Sequence, residues 1–504
     1  DFEKYSSGCK TLENMLVHPQ GMASRRVGTQ FIHEVKTSSA KTRLIPFEFS
    51  TTQTYILEFG NNYIRFFKDK GQIFSSGSAY EISTPYLTAE LFEIKFAQSA
   101  DVMFLCHPNH EVMKLSRTAH TSWTLTEVDF TDGPYLATNT TDTTLTPQQT
   151  ATGTGKTITA SAVTGINGGV GWLATDVGRI LKFNSGKAII TARTNATVAV
   201  ATITTAFTNT DATAAFNLGA FSNTTGFPSC VSFFEQRLVF AGTTDEPQTL
   251  YFSKSGDYEN MTTGTNADDA MVYTIASNQV NKIRYLKAVR TLLIGTTGGE
   301  FSVSADGTDA AVTPTNVTIK RQSSFGAANV DAQPAGNAVL FLQAAKRKIR
   351  ELAYNYDSDG YVAPDLTILN ETVTKSGITE MAFQQSPDNI LWCVREDGVL
   401  AGLTYQRTDN VVAWHRHILG GRSDTTKNII QQKISFTANT TIVNGTNNTI
   451  TLSSHGLATN DPIYYYAAAN PITGISSGSL YYVIRTDANT IKLATTAARS
   501  AAGT

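Results

Sequence analysis

Apolar and polar positions alternate along most of this chain, and the alternating runs come in pairs. Six stretches share one plan: an apolar run, a short polar turn, then a run in which apolar and polar residues alternate. They are Tyr55–Phe67, Val102–Leu115, Leu238–Phe252, Leu292–Val303, Val339–Leu352 and Ile390–Leu403. Period-two alternation bounded by turn residues is the mark of a half-buried β-hairpin. Four of the turns read Gly60-Asn61-Asn62, Pro108-Asn109-His110, Thr297-Gly298-Gly299 and Glu396-Asp397-Gly398. Gly and Asn supply positive φ there, and Pro pre-sets its own. A further strand is predicted ahead of most hairpins, at Leu44–Phe49, Ile94–Phe96, Val231–Phe234, Ile283–Leu286 and Ile378–Phe383. A fourth follows two of them, at Trp123–Phe130 and Val411–Ile418.

Spacing selects the architecture. From one hairpin start to the next the intervals are 47, 136, 54, 47 and 51 residues. A near-constant period of about 50 is that of a four-stranded propeller blade. A β-sandwich of six hairpins is the alternative, and it gives no reason for a constant interval. The long interval marks an insertion between the second and third units, where Thr, Ala and Gly dominate. Within it, Trp172–Phe183 and Ala188–Ile203 alternate as strands. An inserted surface domain extends a closed scaffold without disturbing its core, which suits an interaction platform. Near the start, Phe2, Tyr5, Cys9, Leu12 and Leu16 recur at helical spacing before Pro19 and Gly21, predicting an amphipathic helix over 2–16. Near the end, Ile450–Leu452, Ile463–Tyr466, Leu480–Ile484 and Ile491–Leu493 read as strands.

The predicted fold is therefore mainly β: a β-propeller of about six blade-like units with an inserted β-rich domain and a small C-terminal β module. The boundaries are 1–43 for an N-terminal helix and strand, 44–133 for units one and two, 134–227 for the insertion, 228–432 for units three to six, and 433–504 for the terminal module. A chain that opens on Asp1 and stops at Thr504 is expected to be trimmed at both ends.

Composition narrows the function classes. Charged residues are only 16 % of the 504, and 40 basic against 42 acidic groups leave a net charge of −2. Avid phosphate binding needs clustered Lys and Arg, so a strongly basic nucleic-acid binder is excluded. No apolar run has the length of a membrane-spanning helix, and 19 Tyr, 26 Phe and 4 Trp argue against disorder. Cys9, Cys106, Cys230 and Cys393 are widely spaced, and three lie in apolar strand-like runs, as buried free thiols do.

Candidate chemistry is thin, and no catalytic, cofactor-binding or metal residue is assigned. The stretch T-G-T-G-K-T ending at Thr157 lacks the first glycine of a phosphate loop, because position 150 is Thr. Gly474–Gly478 fits G-x-S-x-G, yet Pro471 precedes it and a strand-like run follows, where a nucleophile elbow needs a strand and then a helix. His107 and His110 have metal-like spacing, with His120 near, but no cysteine or carboxylate completes a shell in sequence. His415 and His417 share one face of a strand as a packed or interface pair; if accessible they titrate near pH 6 and make a subunit contact pH-sensitive. Adjacent Asp268 and Asp269 suit a cation only on a loop. Arg25–Arg26 and the hairpin set Lys346, Arg347, Lys348 and Arg350 are the only basic knots, and the second is read as a solvated turn or else a contact to an acidic surface or DNA. The N-x-T sequons at Asn139, Asn195, Asn439 and Asn444 carry no meaning beyond Thr-rich loops.

Several long blocks resemble a known family. They are KYSSGCKTLENMLVHPQGMASRRVGT (4–29), RLIPFEFSTTQTYILEFGNNYIRFFKDKGQI (43–73), PSCVSFFEQRLVFAGT (228–243), YTIASNQVNKIRYLKAVRTLLIGTTGGEFSV (273–303), GYVAPDLT (360–367) and LWCVREDGVLAGLTYQRTDNVVAWHRH (391–417). In this order they resemble the tail nozzle proteins of short-tailed bacteriophages, also called tail tubular protein B or stabilisation proteins. DVGRILKF (176–183) and FNLGAFSNTTGFPS (216–229) extend the likeness weakly into the insertion. The resemblance implies a homo-hexameric ring in the virion tail, below portal and adaptor rings, through which DNA is ejected. It further implies a tail adaptor protein and tail fibre proteins as partners, transient non-specific passage of viral DNA, and the host cell envelope at the distal end. TITLSSHGLATNDPI (449–463) and SLYYVIRTDANTIKLATT (479–496) resemble a different phage module, labelled after the first catalytic cysteine half-domain of ubiquitin-activating enzymes. This stretch has no cysteine, so thioester chemistry is excluded there. The alternative from another class is a host-surface or glycan-binding tail adsorption protein, with Tyr464–Tyr466 as a sugar-facing loop. A hydrolase lacks the paired carboxylates or nucleophile it would need.

Overall fold

The computed structural model describes residues 8, 9, 11–277, 279–307, 310–419, 434–439, 441–465, 467, 472–477 and 479–503. The chain divides into two compact units, Asp1–Ser423 and Asp424–Thr504.

The first unit is a six-bladed β-propeller. Each blade is an antiparallel sheet whose strands are hydrogen-bonded in chain order. Blade one runs through Arg43–Ser50, Gln53–Gly60, Tyr63–Lys68 and Gly71–Gln72, with Glu81–Ser83 also paired to its third strand. Blade two is Lys95–Ser99, Val102–His107, His110–Ala119 and Ser122–Glu127. Blade three is Cys230–Phe234, Arg237–Ala241, Thr249–Phe252 and Met271–Thr274. Blade four is Ile283–Ala288, Leu292–Thr296, Gly299–Ser304 and Thr318–Ser323. Blade five is Gln333–Ala335, Ala338–Leu342, Ile349–Asn355 and Gly360–Val362, and blade six is Ile378–Gln384, Ile390–Arg395, Leu400–Gln406 and Val411–His417. The six predicted hairpins are the second and third strands of the six blades.

Blades pack face to face because most second strands are largely apolar on both sides. Arg237–Ala241, Leu292–Thr296 and Ala338–Leu342 are buried at every position. Five consecutive junctions share an apolar cluster. Phe47, Leu57, Leu105 and Leu115 join blades one and two, and Phe104, Leu238, Phe240 and Tyr251 join two and three. Val239, Phe252, Ile294 and Phe301 join three and four. Leu293, Phe341 and Leu352 join four and five, and Leu340, Leu342, Leu391 and Leu403 join five and six. Burying a side chain of this size contributes about 1.5–3 kcal/mol. Blades six and one meet differently: Arg43 Nε donates to Glu380 Oε1 at 2.9 Å, which closes the ring across 337 residues of chain.

Among the described residues the predicted N-terminal helix is not found. Phe2 and Tyr5 lie outside the described residues, but Cys9 and Leu12 are extended loop and Leu16 sits in the strand Met15–Val17. That strand pairs with Ala23–Arg25 as a hairpin. The hairpin lies along the outer edge of blade six, where the Asn14 amide donates to Arg416 O (2.9 Å) and the Arg416 amide to Leu12 O (3.0 Å). An open sheet edge offers more hydrogen bonds than one isolated helical turn can, so the edge overrides the helical spacing.

The insertion is a single six-stranded sheet in the order Leu145–Pro147, Gly153–Ala160, Val198–Thr205, Gly186–Arg193, Ile180–Phe183 and Phe216–Leu218. Two sequence expectations change here. Ala188–Ile203 is two strands turning at Asn195, whose side chain accepts the amides of Thr197 and Val198. Of Trp172–Phe183 only Ile180–Phe183 is strand. Ala174–Asp176 is a short 3-10 turn, because Asp176 is buried against Arg179 and takes the Leu173 amide.

The second unit holds a five-stranded sheet ordered Val443–Asn444, Thr449–Thr451, Thr490–Ala494, Ser479–Arg485 and Pro462–Tyr465. A short helix, Ala497–Ala502, follows, capped by Thr496 and ended by Gly503 at φ 75°.

Candidate functional site

Three clusters of polar groups stand out in the propeller: one at its axis, one on blade two and one on blade six.

The axial cluster is built from the first strands of the blades, which surround a common centre. Arg43 of blade one is 6 % exposed; besides Glu380, its Nη1 donates to Leu91 O (2.9 Å) and Ile94 O (2.6 Å). Lys287 of blade four donates to Asp331 Oδ2 at 2.6 Å. Lys95 of blade two is 4 % exposed and sits among them, attracted by Asp331 and repelled by Arg43 and Lys287. Burial pulls its ammonium below the ordinary lysine value. Burial raises the Asp331 carboxyl, but Lys287, Lys95 and Arg43 outweigh that and hold it below the usual range. Blade three contributes the buried Cys230 thiol, pushed up by burial and hence neutral. A cavity of about 230 Å³ opens beside Arg43, Lys95, Asp331 and Glu380.

On blade two, His107 ends one strand and His110 begins the next across the Pro108–Asn109 turn. Their rings lie 5.0 Å apart. The connection from blade one brings Glu90 Oε2 within 2.9 Å of His110 Nε2. The expectation that no carboxylate reaches this pair is thus corrected: Glu90 is 17 residues upstream of His107 and invisible to local spacing. Burial raises Glu90, but the Leu87 amide and His110 hold its carboxyl below the usual range. One potential ligand atom from each of Glu90, His107 and His110 falls within 4.8 Å of the others. The hydrogen bonds do not fit a metal. The Asn109 amide donates to His107 Nδ1 at 3.2 Å, which places the ring proton on Nε2. A metal-bound imidazole needs the opposite tautomer, donating its second N–H outward. Two ligands then remain, fewer than zinc takes. His107 Nε2 has no hydrogen-bond partner among the described residues; burial and His110 push this imidazole down to about 4. Beside this cluster a cavity of about 400 Å³ is lined by Glu111 and Glu127. Burial, and then the neighbouring Glu127, push the Glu111 carboxyl up to about 7.

On blade six, His415 and His417 do share a face, as the spacing predicts, but both are only 1 % exposed. They form one directed chain. Thr404 Oγ1 donates to Val17 O at 3.1 Å, so it accepts from His415 Nε2, also at 3.1 Å. His415 Nδ1 is left to accept from His417 Nε2 at 2.6 Å. Gly402 lies opposite His415, and a Cβ there would meet the imidazole Cε1 at 2.2 Å. Burial, and then His417, lower His415 to about 3; burial, and then Arg26, lower His417 to about 4. Titration near pH 6 is therefore corrected: the pair is neutral throughout the physiological range.

The remaining sequence candidates resolve into structure. Asp268 and Asp269 lie on a turn where Lys254 Nζ stands 3.4 and 3.1 Å from them, in the place a cation would take. In the basic hairpin, Lys346 pairs with Glu396 (3.3 Å), and Lys348 with Asp365 (2.9 Å) and Glu371 (3.1 Å). Arg350 stacks on Phe325. The T-G-T-G-K-T stretch is strand. Residues 474–477 are loop followed by the strand Ser479–Arg485, while Pro471 and Gly478 lie outside the described residues. Cys106, Cys230 and Cys393 are buried free thiols and Cys9 is exposed. Tyr466 and the Tyr464 side chain lie outside the described residues. No described helix is long and apolar enough to cross a membrane.

Sequence reasoning missed Arg43, Glu90, Lys95, Asp331 and Glu380. One signal was available for Lys95: a lone charge at a buried position of a blade's first strand, between Ile94 and Phe96.

No protein-family model and no curated protein matches the chain. Solved structures resemble it in part. Kluyveromyces lactis Hsv2p is 9 % identical over 75 % of this chain and 96 % of its own, with a TM-score of 0.30. The Neurospora crassa Pan2 WD40 domain is 8 % identical over 64 % and 77 %, at 0.28. A putative 6-phosphogluconolactonase from Bacteroides uniformis is 12 % identical over 72 % and 91 %, at 0.31. None of the three comes from a phage. The propeller assignment rests on the six consecutive four-strand meanders and the ion pair that closes their ring.

Proposed function

We propose that the chain is a structural, non-catalytic component of a short-tailed phage tail: the nozzle, a homo-hexameric ring in the virion, below portal and adaptor, through which viral DNA is ejected. One observation carries this reading. The blocks that resemble the nozzle family follow one another in the family's order along residues 1–420. They also coincide with the structural skeleton. The block 43–73 spans blade one, 273–303 covers most of the inner three strands of blade four, and 391–417 completes blade six.

Electrostatics supports a conduit. A net charge of −2 and basic side chains neutralised by their own acids leave little to grip phosphates. Passage through a lumen requires that the wall not retain its cargo. A closed propeller exposes few free strand edges, and a six-fold ring needs a heterologous interface. Surfaces of the insertion supply one side of such an interface, and the tail adaptor and fibre proteins are the expected neighbours. The test is electron microscopy of the purified chain alone and mixed with its tail adaptor. Six-fold rings with an open lumen are expected. A protein that stays monomeric with adaptor and binds saccharides on a glycan array would replace this reading with the host-adsorption one.

A further inference from the structure

Beside the axial cavity, one cation has no hydrogen-bonded acid of its own. Arg43 is paired with Glu380, and Lys287 with Asp331. Lys95 is left over. Its side chain is 4 % exposed, and among the described residues no acceptor makes a hydrogen bond or ion pair with it. Its compensation is the field of Asp331, which accepts a hydrogen bond from Lys287 rather than from Lys95. Burying an ammonium without a direct partner costs several kcal/mol. Yet Lys95 lines a cavity of about 230 Å³, many times the space one water needs. The rest of the wall includes Leu44, Pro46, Phe92, Phe96, Met381 and Trp392.

We propose that this axial pocket binds a small aliphatic monocarboxylate, with Lys95 as its counter-ion. One ammonium without a hydrogen-bonded acid matches one carboxylate. A phosphate dianion would bring a second charge against Glu380 and Asp331. A short alkyl chain removes those aromatic and aliphatic side chains from water, while the carboxylate takes the ammonium in a charge-assisted hydrogen bond. The inference stands on the axis alone and is independent of the nozzle reading.

The test is isothermal titration of the full chain with sodium butyrate, at low ionic strength and near-neutral pH. Saturable binding at one site per chain is expected. Lys95→Met should weaken it at least about tenfold, since hydrogen bonds to charged groups carry about 1.5–3 kcal/mol. Glu380→Gln leaves Arg43 uncompensated as well and should tighten binding. Absence of saturable binding, equal affinity in Lys95→Met, or a preference for inorganic phosphate over butyrate each overturns the proposal. If Lys95→Met does not fold, Glu380→Gln decides: unchanged or weaker butyrate affinity overturns it.

Discussion

Blade two and blade six each present two histidines a few residues apart, and the two pairs share little else. His107 and His110 straddle a hairpin turn, and a carboxylate from the preceding blade connection faces His110. His415 and His417 lie on one strand, sealed, and bond to each other and to a threonine hydroxyl. The first pair keeps a charged partner, Glu90, at the surface side. The second keeps only neutral hydrogen-bond partners, and its two imidazoles are held in fixed tautomers by a chain that ends on Val17 of the N-terminal hairpin. Spacing alone distinguishes neither role. What decides is which group the neighbouring strand or connection brings opposite the ring.

Four changes test this contrast. The largest effect is expected from Gly402→Ala. Its Cβ would overlap the His415 ring, and overpacking of this kind costs about 1–3 kcal/mol or more. Urea unfolding should show the loss, and an equally stable variant would mean the His415 ring is not held where it lies. Next comes acid. Both blade-six imidazoles have folded values, about 3 and about 4, below the unfolded 6.5. As pH falls below 6.5 the unfolded chain takes up protons first. Stability from the pair is therefore complete above that pH and drains as pH falls towards the folded values. The slope approaches about 1.4 kcal/mol per pH unit for each imidazole. A His415→Asn, His417→Gln double variant should show a shallower pH dependence of its melting temperature between these limits, and an unchanged slope would reject the assignment.

Thr404→Val should cost about 1–3 kcal/mol by orphaning the His415 N–H, and it also removes the bond to Val17. Hydrogen exchange at Met15–Val17 should accelerate relative to Val102–His107. The smallest effect belongs to blade two. Glu90→Gln keeps a hydrogen bond to His110 but loses the charge, at a cost of about 0–1 kcal/mol for a partly exposed pair. Glu90 has a depressed folded value, so its contribution is full above its ordinary 4.5 and fades below it. The stability difference between wild type and Glu90→Gln should shrink as pH falls below 4.5, and a difference that persists there would reject the pairing.

The scaffold was legible in the sequence because blade hairpins write themselves as alternating runs at a nearly fixed interval. Val102–Leu115 and Ile390–Leu403 could be placed to within a few residues. Fourth strands were harder: Gly71–Gln72 and Gly360–Val362 are too short to show a period. The first strand of blade five was missed because Pro334 interrupts it. The clusters were mostly illegible. Arg43 and Glu380 are opposite ends of the ring, and Glu90 reaches His110 through a connection with no pattern of its own. His415 and His417 were found, but their environment is set by Gly402 and Thr404 on another strand and by Val17, nearly four hundred residues away.

That last contact carries a kinetic consequence. The ribosome releases Met15–Val17 long before the Val411–His417 strand it flanks exists. The opening hairpin must wait without its blade-six edge while five blades assemble behind it. Fastening it is then a contact of the longest range the first unit offers, and contacts of that range form late and slowly. Maturation of the whole wheel is gated by the arrival of its final sheet.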